Sequence, residues 1–162
     1  MSNRKTVTQE LSKFLADTYI LYLKTQNYHW NVSGPQFYAL HLLFEKQYED
    51  LAEAADLIAE RIRALDEKTP ASFAAFQKLT SIKEETGFPS EQEMLRNLAE
   101  DHKTLAASAE AVLKAAEKSG DDSTADLAIQ RQRVHQKNHW MLAAHFEESQ
   151  ATSQNKRAMR SI

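Results

Sequence analysis

Five side chains in this sequence have the types and spacing for metal chemistry: His29, His41, Glu45, Asp56 and Glu60. Imidazole with carboxylate is a donor set that suits iron or zinc. The spacing Asp56-x-x-x-Glu60 puts two carboxylates on one face of a helix. Turning about 100° per residue from His41, the residues Glu45, Glu49, Asp56 and Glu60 fall on a stripe beside the apolar arc Phe37, Leu40, Phe44, Tyr48, Leu51, Ala55, Ile58, Ile62 and Leu65. Such a stripe is either the wet face of an amphipathic helix or a ligand row. His41 and Asp56 are separated by about 22 Å at the helical rise per residue, so within one chain they cannot share an ion. A two-fold, antiparallel pairing of this helix with its copy, centred near Glu49, would bring His41 to the partner's Asp56 and Glu60. His29 lies at the same end as His41 and could join it. Two equivalent sites per dimer would result.

Other chemistries are closed off. The chain has no cysteine, which excludes thiolate metal sites, disulfides and cysteine nucleophiles. None of the six histidines has an acid three residues before it, so the Glu-x-x-His pairs of intramolecular di-iron bundles are missing. His135 and His139 stand four residues apart, but with no acid at helical spacing they read as packing or surface residues, as do His102 and His145.

The elements that must hold these residues follow from punctuation. In 162 residues there are only three glycines and three prolines, too few for a turn-rich β fold. They sit at 34–35, 70, 87, 89 and 120, leaving four long segments that predict an all-α, four-helix chain. Helix A is expected over 7–31, B over 36–65, C from Ser90 (with Glu93 completing a capping box) to 118, and D from 121 to 148. The tight A–B connection makes those helices antiparallel. The long B–C connection, with Phe73, Phe76 and Leu79, predicts a short extra helix and the crossover of a ferritin-like bundle. Residues 1–148 form the expected domain, and 149–162 a flexible basic tail carrying Lys156, Arg157 and Arg160. The net charge is −3, so the body without that tail is more acidic still. The polar start gives no secretion signal, and the charge-free window 25–44 carries too many polar groups to span a bilayer.

The run Tyr28-His29-Trp30-Asn31-Val32, then Gly34-Pro35, Phe37 and His41, then residues 56–63, resembles Dps, the mini-ferritins known as DNA-binding proteins of starved cells. The likeness spans residues 5–148. It implies that His29 and His41 from one subunit and Asp56 and Glu60 from the other form a catalytic centre that oxidises two iron ions. Glu45, where most members carry Asp, would be a ligand or a supporting partner, and Trp30 the aromatic beside the centre. Asp121, Asp122 and Asp126 open helix D as caps. The resemblance also places that stretch at a three-fold pore drawing in Fe²⁺, with Asp121 and Asp126 the better metal contacts. It further implies a cytoplasmic dodecamer, with association with the nucleoid left open, that takes Fe²⁺ and hydrogen peroxide as substrates, stores ferric mineral and protects DNA. Binding of DNA through the tail is expected to be weak and sequence-independent. The alternative is a DNA-coating nucleoid protein with no enzymatic activity.

Overall fold

The computed structural model describes residues 3–159, with side chains from 3 to 146. Five helices occupy it: α1 (Asn3–Asn31), α2 (Phe37–Ala64), α3 (Phe73–Leu79), α4 (Glu91–Ser119) and α5 (Asp122–Met159). The described residues contain no strand. The four long helices form the expected ferritin-like bundle, and α3 is the short helix of the crossover.

Local chemistry sets each boundary. Ser90 and Glu93 close the capping box that starts α4, and Gly120 ends the same helix in a left-handed conformation (φ 68°). Ser72 accepts from the Ala75 N–H to begin α3. Gly34 turns the chain between α1 and α2 at φ 128°, and a Cβ there would lie 2.6 Å from Glu91 Oε2. The positive φ is what calls for glycine there, since the Glu91 carboxylate ends a flexible side chain.

The same contact places the start of α4 beside the start of α2. At the opposite end, Arg61 of α2 is paired with Asp121, just past α4. Helices α2 and α4 therefore run parallel, which only the long crossover permits. Leu11, Phe14, Leu21, Phe44, Leu51, Ile58, Leu98, Leu105 and Val112 fill the core. The crossover is tied down by buried polar groups of α1. Asp17 accepts from Thr80 Oγ1 (2.9 Å), the Ser81 N–H (2.5 Å) and Ser108 Oγ (2.7 Å). Lys24 pairs with Asp101 at 2.7 Å and donates to the Lys83 carbonyl, while the Tyr28 hydroxyl donates to Glu85.

Two boundaries differ from the sequence expectation. Helix α1 begins at Asn3 rather than Val7, supported by Asn3 Nδ2 donating to the Lys118 carbonyl. Helix α5 continues past Glu148 to Met159, where the expectation was an unstructured tail. No glycine or proline interrupts the chain after Gly120, and Ala, Gln, Lys, Arg and Met all propagate a helix well. The side chains of the expected tail, 149–162, lie outside the described residues.

Candidate metal centre

The last turn of α1 and the first turns of α2 meet across the Gly34-Pro35 bend, and this brings His29 and His41 together. Their rings stack with centroids 3.8 Å apart and planes 18° from parallel. His29 Nδ1 is 2.8 Å from the His41 carbonyl, and His41 Nδ1 is 2.8 Å from the His29 carbonyl. A carbonyl oxygen only accepts, so each Nδ1 carries the proton and donates it. The tautomer with Nδ1–H has its lone pair on Nε2, the arrangement of a metal-ligating histidine whose other nitrogen is anchored. Phe37 stacks on His41 at 5.2 Å, and Tyr48 meets His29 edge-on at 5.2 Å. His29 is only 7% exposed. The pair is held in place by the chain's own contacts.

The carboxylates are elsewhere in the same chain. Glu45 is half-buried one turn beyond His41 on α2, whereas Asp56 and Glu60 are exposed near the far end of that helix. Neither makes a hydrogen bond or ion pair among the described residues. No three His, Asp or Glu side chains among the described residues converge within one chain. The structure therefore brings His29 and His41 together and leaves Asp56 and Glu60 facing outward, away from them. The chain presents a two-imidazole half at one end of α2 and a two-carboxylate half at the other.

A ferritin-like domain family model matches residues 8–151. A DNA protection during starvation protein of Brevibacillus brevis is 34% identical over 90% of this chain and 98% of that protein. The protein of the same name in Helicobacter pylori is 38% identical over 86% of this chain and 98% of its own length. The crystal structure of a Dps protein from Vibrio cholerae, described as one of the ferritin-like diiron-carboxylate proteins, superposes with TM-score 0.86 at 31% identity, covering 90% of this chain and 92% of that one. The chain belongs to the Dps family.

The acids that open α5 in this Dps chain are not equivalent. Asp121 accepts from Arg61 Nη2 at 2.7 Å, from the Thr124 N–H at 3.0 Å and from the Thr124 hydroxyl at 2.5 Å. Desolvation opposes its charge, but the Thr124 bonds and the Arg61 guanidinium hold the carboxyl below its ordinary pKa. It is the cap of α5 and the clamp to α2. Asp122 and Asp126 are exposed, with Asp126 accepting from Gln130.

Reading the sequence also missed the company kept by two other histidines. His102 and His135 are fully buried in the bundle with their Nδ1 atoms 3.0 Å apart, and each Nε2 is buried without a partner. Nothing in the sequence signals a contact between residues 33 apart on different helices. His139 donates to the Ala99 carbonyl, and His145 lies 3.1 Å from Gln36 Oε1. Tyr48 and Phe37 were readable only as core, although they lie at helical spacing from His41 and flank the histidine pair.

Proposed function

We propose that this Dps subunit oxidises Fe²⁺, preferentially with hydrogen peroxide, at centres shared between two subunits, and stores the ferric product in a dodecameric cage that shields DNA. The observation that carries this reading is the reciprocal Nδ1-to-carbonyl contact of His29 and His41, which aims chemistry at their Nε2 atoms. The unpaired, exposed Asp56 and Glu60 supply the hard oxygen donors that iron also needs. A second copy, related by a two-fold axis crossing α2 near Glu49, is the simplest way to join the halves.

In that centre His29, His41, Asp56 and Glu60 bind the substrate iron, and Glu45 acts as ligand or as a hydrogen-bonding support. Two Fe²⁺ bound together give peroxide both of its electrons at once: 2Fe²⁺ + H₂O₂ + 2H₂O → 2FeO(OH) + 4H⁺. No hydroxyl radical leaves. The chain works in the cytoplasm on this reading, and contact with DNA through Lys156, Arg157 and Arg160 is weak, non-specific and screened by salt. The deciding experiment adds Fe²⁺ and then peroxide to the cage without air. Ferric absorbance should rise fast and saturate at two iron per peroxide; absence of peroxide-dependent oxidation would reject the reading in favour of a protein that only coats DNA.

Entry of iron gives a separate expectation. Asp122 and Asp126 are exposed and would line the pore, whereas Asp121 is committed to its cap. The Asp122→Asn/Asp126→Asn pair should slow iron uptake several-fold at low ionic strength. The deficit should shrink as salt rises and the Debye length falls to about 8–10 Å. Stopped-flow uptake across a salt series measures this, and unchanged kinetics at low salt would remove those residues from the entry path.

A further inference from the structure

The ring that touches His29 is the first of three phenols in a row. Tyr48 lies 5.2 Å from His29, Tyr22 lies 6.1 Å from Tyr48, and Tyr19 lies 5.8 Å from Tyr22, each centroid to centroid. All three meet edge-to-face, within the range of direct aromatic contact. Tyr19 and Tyr22 share a face of α1 three residues apart, and Tyr48 reaches them from α2. Beyond Tyr19 the neighbours are Phe76 at 5.0 Å and Phe73 at 6.5 Å. A phenoxyl radical cannot oxidise a phenyl ring, so the row ends at Tyr19.

We propose that Tyr48, Tyr22 and Tyr19 form a radical relay that supplies the second electron when peroxide meets a centre holding a single Fe²⁺. The relay rests on the iron-and-peroxide reading above. One Fe²⁺ provides only one of the two electrons that peroxide takes, and the remainder would be released as hydroxyl radical. With Tyr48 beside the centre the step closes as Fe²⁺ + H₂O₂ + Tyr48–OH → Fe³⁺ + OH⁻ + H₂O + Tyr48–O•. The phenol O–H bond is weaker than that of water, so the hydrogen atom moves downhill. The radical then exchanges a hydrogen atom with Tyr22, restoring Tyr48–OH, and Tyr22 does the same with Tyr19. A small one-electron reductant such as ascorbate returns Tyr19 to the phenol by giving up a hydrogen atom and becoming its own radical anion.

The row leads away from His29 and His41 toward α3 and the crossover, so the oxidising equivalent is moved off the imidazoles that must survive many turnovers.

The test uses the intact cage with one Fe²⁺ per centre and one peroxide, without air, followed by rapid-freeze electron paramagnetic resonance, ferric absorbance and a hydroxyl-radical spin trap. Wild type should show ferric iron, a phenoxyl signal and a silent trap. Tyr48→Phe should lose the phenoxyl signal and release trappable hydroxyl radical. Tyr22→Phe should hold the radical on Tyr48, distinguishable by a lineshape that depends on how the ring is turned, and should lose its fast quenching by ascorbate. Ferric iron with no phenoxyl signal in wild type, or equal trapping in wild type and Tyr48→Phe, would overturn the relay and leave the iron reading standing. Should no ferric iron form, the iron reading fails, and the iron-free cage oxidised by flash-generated azide radicals judges the row itself. Migration of the radical to Tyr19 in wild type but not in Tyr22→Phe supports it, and identical spectra overturn it.

Discussion

Cages built only from His41→Ala subunits, or only from Asp56→Ala subunits, should both lose fast iron oxidation, yet cages assembled from the two together should regain part of it. Each dimer of one His41→Ala and one Asp56→Ala subunit carries one site missing both groups and one site missing neither. With random pairing half of the dimers are of this kind, so about a quarter of the wild-type sites return. The homogeneous variants should fall by more than the about 10–100-fold that removal of a supporting group costs a metal site, because the proposed centre uses these side chains as ligands. Co-assembly of differently tagged subunits, followed by stopped-flow ferric absorbance, gives the number. Verified mixed cages with no recovery would exclude a centre split between chains. The expectation follows from two facts about α2: its His41 end has imidazoles anchored through Nδ1, and its Asp56–Glu60 end has carboxylates with no partner of their own among the described residues.

The second large effect concerns acid. Burial, with the Arg131 guanidinium adding to it and Asp50 opposing, pushes His102 down to about 3. His135 is driven well below its ordinary value by burial, then by His102 and Arg131. In the unfolded chain both imidazoles titrate near pH 6.5. A depressed pKa in the folded state means that the unfolded chain takes up protons first as pH falls. The stability contributed is therefore intact above about pH 6.5 and is lost progressively on the way down to about pH 3. For His102 alone the loss amounts to about 2 kcal/mol at pH 5 and about 3 kcal/mol at pH 4. Urea midpoints at pH 7, 6, 5 and 4 should fall steeply in wild type and much less in His102→Leu/His135→Leu, whatever that pair costs at pH 7. Parallel pH slopes would show that other groups carry the acid lability.

Much of the fold was legible because its interruptions are so few. Gly34-Pro35 and Gly120 mark the two tight bends, and Ser90 with Glu93 marks a helix start; each does in the structure what its chemistry requires. The end of α5 was not legible, since a basic, polar composition is equally compatible with a helix and with a loose tail, and no glycine or proline decides between them. Asp17 was invisible for a different reason. A carboxylate in an apolar helix reads as exposed until its three donors from the crossover and α4 are known. The candidate site divides along the same line. His29, His41, Asp56 and Glu60 could be picked out by type and spacing, and the rise of a helix alone separated them into two groups. What spacing cannot carry is the direction of a ring proton. That information lies in the contacts between the end of α1 and the start of α2, as do the positions of Tyr48 and Phe37 around the pair. The acids at the start of α5 show the converse, because Asp121 and Asp126 look alike in sequence, but only one is taken up by Arg61 and Thr124.

The acceptors that orient His29 and His41 are main-chain carbonyls, each belonging to the other histidine. Every residue type has a carbonyl, so exchanging the side chains around the bend leaves both acceptors in place. Insertions and deletions behave differently. One residue more or fewer between Asn31 and Phe37 must be absorbed by rebuilding this tight bend or by shifting α2 one residue in register, which turns its faces by about 100°; either change draws the carbonyls off the rings and frees the imidazoles to change tautomer. In a library of variants this segment should tolerate spelling changes and reject changes of length, with Gly34 the one letter that geometry also fixes.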